Sequence, residues 1–142
     1  MFEDFLGTWK CIDSQNFGAY LAAIGAPPVL SERADATRPT VHFNRDGDKL
    51  SLKVEHGPPP LKDVLLSFKL GEEFDEHPTD GRKCKTLVTF EGDKLLYLQK
   101  WDGKETVVVR EIRDGNVVAT LSHEGVVALR VYKKVAGPTA LE

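Results

Sequence analysis

A chain of 142 residues, 41% hydrophobic and 29% charged, is sized for one globular domain with one buried core or enclosed cavity. Its formal net charge of -3, with lysines and arginines dispersed rather than striped, gives no general attraction to nucleic acid. No run approaches a membrane span, and Met1-Phe2-Glu3-Asp4-Phe5-Leu6-Gly7 places acidic residues where a secretory signal needs basic ones.

Leu6 to Ser14 reads as the first strand. Behind it, Phe17, Tyr20, Leu21 and Ile24 fall at the three-and-four spacing of a short helix with Asn16 as its N-cap. Gly25-Ala26-Pro27-Pro28 ends that helix, and Val29 to Thr37 forms a second before Pro39 stops it. From residue 46 onward, Asp46-Gly47-Asp48, Glu91-Gly92-Asp93, Asp102-Gly103, Asp114-Gly115 and Glu124-Gly125 mark tight hairpins, because Asp-Gly pairs supply positive φ. Between the turns lie runs rich in Val, Leu, Ile, Thr and aromatics. They are Thr40 to Arg45, Lys49 to Glu55, Lys62 to Phe68, Glu72 to Glu76, Lys83 to Phe90, Lys94 to Lys100, Glu105 to Arg113, Val117 to Ser122 and Val126 to Lys133. Ten strands with two short helices after the first predict an all-β meander, closed as a barrel or folded as a sandwich. Pro58-Pro59-Pro60 marks an exposed loop between the third and fourth strands. Pro138 to Glu142 leave the strand pattern and read as a tail, partly vector-derived.

Period two places Ala128, Arg130 and Tyr132 on one face of the last strand, and Val108, Arg110 and Ile112 on one face of an earlier one. The intervening hairpins make these strands flank a common neighbour, so the arginines stand about 10 Å apart, two strand spacings. From the pattern alone they either face water, the ordinary place for a strand arginine, or project into an enclosed space that receives an anion.

Other chemistry is sparse. His42, His56, His77 and His123 sit near strand ends with no second ligand at metal spacing, and read as surface residues. Glu72, Glu73, Asp75 and Glu76 fit no Ca²⁺ loop and read as a solvated edge strand. Cys84 in Arg82-Lys83-Cys84-Lys85 reads as a small strand residue. Cys11 and Cys84, the only cysteines, form no disulfide framework or metal pair, which points to a reduced, cytoplasmic setting. No cofactor, metal site or catalytic residue is expected.

Several pieces, in order and at matching spacing, resemble the cytosolic fatty-acid-binding proteins of the intracellular lipid-binding family, in the calycin superfamily. They are Gly7-Thr8-Trp9-Lys10 with Asn16-Phe17 and Tyr20, Ser67-Phe68-Lys69-Leu70-Gly71-Glu72-Glu73-Phe74-Asp75-Glu76, Asp80-Gly81-Arg82-Lys83-Cys84-Lys85, Gln99-Lys100-Trp101-Asp102-Gly103-Lys104 and Arg130-Val131-Tyr132. The resemblance covers about Phe5 to Lys133. It implies a ten-stranded antiparallel up-and-down β-barrel, or clam, capped by a helix-turn-helix lid over residues 16–38. One lipid-binding domain then fills residues 1–135, with residues 136–142 as the tail.

The resemblance further implies a carboxylate-binding triad of Arg110, Arg130 and Tyr132 pointing into the lumen. Phe17, Tyr20, Leu21, Pro39, Asp80 and Arg82 would line the cavity, and Leu30 and Leu61 the portal. The family's acidic residue after Asn-Phe is Gly18 here. The implied function is intracellular binding and transport of long-chain fatty acids by a non-enzymatic monomer, with passage into the nucleus by diffusion. The alternative is a retinoid carboxylate held by the same triad, as in the cellular retinoic-acid-binding branch. Burying about 14 methylenes stabilises by about 11 kcal/mol, less several for association. The excess positive charge beside one carboxylate calls for lumen water or an acid such as Asp80 or Glu73. A nearly neutral lid, Ala22-Ala23 and Ser31-Glu32-Arg33, implies no membrane insertion, at most weak transient contact, and ligand exchange through water.

Overall fold

The computed structural model describes residues 2–55, 63–78 and 81–137. Its ten strands are β1 (Gly7–Gln15), β2 (Thr40–Asp46), β3 (Lys49–Glu55), β4 (Val64–Phe68), β5 (Phe74–Glu76), β6 (Cys84–Glu91), β7 (Lys94–Trp101), β8 (Lys104–Arg113), β9 (Asn116–His123) and β10 (Val126–Ala136). Each consecutive pair except β4 and β5 is hydrogen-bonded, and β1 pairs with β10, giving the order β4-β3-β2-β1-β10-β9-β8-β7-β6-β5. The antiparallel sheet curls into a nearly closed barrel, the expected clam. Its seam lies between β4 and β5, where the Phe68 and Phe74 rings stack at 5.8 Å.

The hairpins follow the turn chemistry. Asp102 and Gly103, and Asp114 and Gly115, all have positive φ, the mirror-image turn that matches strand twist. In β1 the register shifts between Cys11 and Asp13, so Ile12 is pushed outward, 48% exposed, and Ser14 lands opposite Arg130.

One end of the barrel is packed solid. A 3₁₀ turn at Phe2–Phe5, unforeseen in the sequence reading, drives Phe2 and Phe5 into a core with Trp9, Val41, Phe43, Leu50, Leu52, Phe68, Val88, Leu95 and Val117. Phe5 meets Phe43 and Phe90 edge-on, and the Trp9 indole donates to the Phe5 carbonyl at 2.8 Å.

The other end carries the lid, with three departures from the sequence reading. Helix α1 (Phe17–Ala23) starts where expected, but Asn16 makes no capping bond: it sits in the left-handed region and donates its side-chain amide to the Val127 carbonyl. The second helix is not continuous to Thr37. Helix α2 (Pro28–Ser31) is one turn, followed by a 3₁₀ turn at Ala34–Ala36. Pro28 therefore does not stop a helix but begins one, at a position where its missing N–H has no partner to lose. Pro58-Pro59-Pro60 and Pro138 to Glu142 lie outside the described residues.

Candidate functional site

Alternation along β8 and β10 turns Arg110, Arg130 and Tyr132 into the barrel. Arg110 and Arg130 both pair with Ala119 of β9, one from each side. Of the two placements left open by the pattern, Arg130 takes the enclosed one, at 2% exposed, while Arg110 is half-buried. Tyr97, Arg110, Ile112 and Tyr132 face inward yet remain only half-buried, which leaves solvent-sized space around them inside the wall.

The arginines are not equivalent. Arg130 is fully engaged with protein. Nη1 donates to Ser14 Oγ and the Ala34 carbonyl, both at 3.1 Å, and Nη2 to Thr37 Oγ1 at 3.2 Å and its carbonyl at 3.4 Å. Its guanidinium also lies 4.2 Å over the Phe17 ring. Arg110 and the Tyr132 hydroxyl make no hydrogen bond among the described residues, so their donors stay open to the lumen.

The lid is fastened by the same residues. Asp35 caps α1 from a distance: its carboxylate accepts from Phe17 N at 2.9 Å, Gly18 N at 3.0 Å and Ser14 Oγ at 2.7 Å. Burial raises the Asp35 pKa, but these bonds and the Arg130 charge outweigh it and hold the group below its ordinary value. Tyr20 is buried and its hydroxyl shares a 2.6 Å hydrogen bond with Thr106 on β8. Phe17 stacks on Tyr20, Leu21 packs against the same cluster, and Leu30 sits half-buried on α2. Pro39 is buried, its carbonyl accepting from Cys11 N.

Beside Arg110, on β5, β6 and β7, lies a polar network that the sequence reading missed. Glu76 was expected on a solvated strand; instead it is 8% exposed and turned inward. Its Oε1 accepts from Thr86 Oγ1 at 2.7 Å, Gln99 Nε2 at 3.0 Å and the Tyr97 hydroxyl. Burial first, then the Glu76 charge, pushes the Tyr97 pKa far above its ordinary value. Arg82 donates to Gln99 Oε1 at 2.5 Å and lies 4.4 Å over Trp101, which places it in this network. Glu73, expected to offset the arginines, is exposed. Asp80, Leu61 and His56 lie outside the described residues.

His123 also departs from expectation. It is 2% exposed, its ring stacks on Trp101 at 5.4 Å, and Nδ1 donates to the Glu105 carbonyl at 2.9 Å. Continuing the β9 period through Val117, Ala119 and Leu121 would have placed it inside.

A cavity of about 320 Å³ opens at the β4–β5 seam, lined by residues 63–67 and 74–78, Glu76 among them. Arg110 and Tyr132 offer donors to an anion, and Glu76 offers a hydrogen-bond acceptor at the seam cavity. Among the described residues no cluster of His, Cys, Asp and Glu could hold a metal ion, and no helix is long and apolar enough to cross a membrane.

A sequence profile of the lipocalin / cytosolic fatty-acid binding protein family matches residues 6–135. The bilirubin-inducible fluorescent protein UnaG of Anguilla japonica is 57% identical over 136 residues, covering 94% of this chain and 98% of that protein. The crystal structure of wild-type UnaG matches with a TM-score of 0.89 at 56% identity, covering 95% of this chain and 100% of that one. The Schistosoma mansoni fatty acid binding protein in complex with arachidonic acid gives 0.85 at 35% identity, covering 93% and 96%.

Proposed function

The chain belongs to the lipocalin / cytosolic fatty-acid binding protein family, a family of binding proteins rather than enzymes, and from that premise we propose that it binds a bilirubin-like linear tetrapyrrole whose carboxylate meets Arg110, Tyr132 and, once the lid yields it, Arg130. One observation carries this choice among lipid carboxylates: the wall beside Arg110, on β5 to β7, presents the polar set Glu76, Thr86, Tyr97 and Gln99. A saturated acyl tail or a retinoid polyene would lie against that set and return no hydrogen bond, leaving a charged acceptor poorer in partners. A tetrapyrrole brings pyrrole and lactam N–H groups as well as carboxylates, and so offers partners both to the arginines and to Glu76. The relative whose fluorescence bilirubin induces supports the same choice.

A long-chain fatty acid is the second reading, supported by the arachidonic acid complex of a relative with this fold. It uses the same carboxylate site. In either case the protein acts as a cytoplasmic monomer that carries its ligand through water.

Direct titration separates the two. With bilirubin and oleate each added to the ligand-free protein, quenching of Trp101 fluorescence and calorimetry should give saturable bilirubin binding tighter than oleate. Tighter oleate binding, or none of bilirubin, contradicts the choice.

A further inference from the structure

We propose that Glu76 is the specificity-determining residue of the lumen, the acceptor through which the site selects ligands bearing N–H donors. The inference rests on the tetrapyrrole reading above and assigns it a residue.

Glu76 is buried on a strand of three residues at the seam of the barrel. Among the described residues no lysine or arginine forms an ion pair with it. Three donors from β6 and β7 converge on a single oxygen, Oε1, while Oε2 receives none among the described residues. Its carboxylate therefore has its orientation fixed through one oxygen, on a residue that lines the seam cavity.

Burying a charge without a cation is expensive unless hydrogen bonds supply the compensation. Glu76 lines the cavity at the β4–β5 seam, so a ligand seated there must return a hydrogen bond to Oε2 in place of the solvent it excludes or leave the charge stranded. A pyrrole or lactam N–H does so with a charge-assisted bond, roughly twice as strong as a neutral one. A hydrocarbon tail cannot, so the same residue that favours one ligand class disfavours the other. Discrimination of this kind, in which a buried polar group penalises the ligand that leaves it unpaired, is stronger than a hydrophobic pocket achieves by shape.

The test is Glu76→Gln, which retains a carbonyl oxygen for Thr86, Tyr97 and Gln99 and replaces the other oxygen with an N–H donor. Bilirubin affinity should fall about 10-fold or more, the size of a hydrogen bond to a charged group, while oleate affinity stays level or rises. Equal losses for both ligands overturn the proposal, as does unchanged bilirubin affinity. Absence of bilirubin binding to the unmodified protein overturns the tetrapyrrole reading along with it, whereas normal binding that is indifferent to Glu76→Gln overturns this inference alone. Should the variant fail to fold, nuclear Overhauser contacts in the unmodified complex decide the matter. A ligand N–H proton close to the Tyr97 ring or the Gln99 amide supports the assignment, and ligand N–H protons in contact only with apolar side chains overturn it.

Discussion

Arg110 and Arg130 stand on either side of Ala119, each its direct cross-strand partner, and yet only Arg130 is tied to the lid. Ala119 itself is small and buried. In the proposed binding mode a carboxylate meets Arg110 and Tyr132 first, and must win Arg130 away from Ser14, Ala34 and Thr37.

Substitution should therefore separate the two. Arg110→Gln should weaken carboxylate ligands about 10- to 100-fold, the range for losing a hydrogen bond to a charged group, with little change in melting temperature. Arg130→Gln should lower the melting temperature as well, and speed amide exchange over residues 17–37, because it strips bonds to Ala34 and Thr37. With a fatty acid and the matching alcohol as ligands, either variant should penalise the acid more. Identical thermal and exchange behaviour of the two variants would show that the lid contacts of Arg130 carry no weight.

Lid attachment should weaken in acid. The Asp35 pKa lies below its ordinary 3.8, so the charged form is favoured by folding, and its contribution is present above about pH 4 and lost as pH falls through the lowered value. Amide protection over Phe17 to Ala23 should decline in that window, whereas Asp35→Asn, which keeps an acceptor but no titrating charge, should show no such decline. Asp35→Ala should cost about 1 kcal/mol at neutral pH through loss of the cap. An unchanged acid profile in Asp35→Asn would contradict this role.

Gly18 supplies a test whose sign runs against helix propensity. In an isolated helix Gly→Ala stabilises by about 1 kcal/mol. Here a Cβ at Gly18 would meet the Ser31 carbonyl oxygen at 2.5 Å, so α1 and α2 would have to separate. Gly18→Ala should lower the melting temperature, and a rise would show that the two helices have slack between them.

Much of this was legible from local pattern. Asp-Gly turns located the hairpins, and period two put Arg130 with Tyr132 on one face and Arg110 on the matching face of its strand, while only the family resemblance turned those faces inward. What stayed hidden depended on partners distant in sequence. The cap of α1 comes from Asp35, 18 residues beyond Phe17, and nothing near Asn16 announces that its own side chain turns to Val127 instead. Glu76 was hidden for a different reason. Its strand has only three residues, too few for alternation to declare a face, and three neighbouring acids made the whole run look solvated. The base of the barrel was missed because Phe2 and Phe5 lie in a 3₁₀ turn, outside either periodicity used to find a core.

The crystal structure of the protein with bilirubin bound tests the central claim most directly. The account predicts a ligand carboxylate within hydrogen-bonding distance of Arg110 and Tyr132 inside the barrel, with ligand N–H groups turned toward Glu76. Bilirubin seated on the outer wall, or with its carboxylates in solvent at the lid and Arg110 untouched, would contradict it.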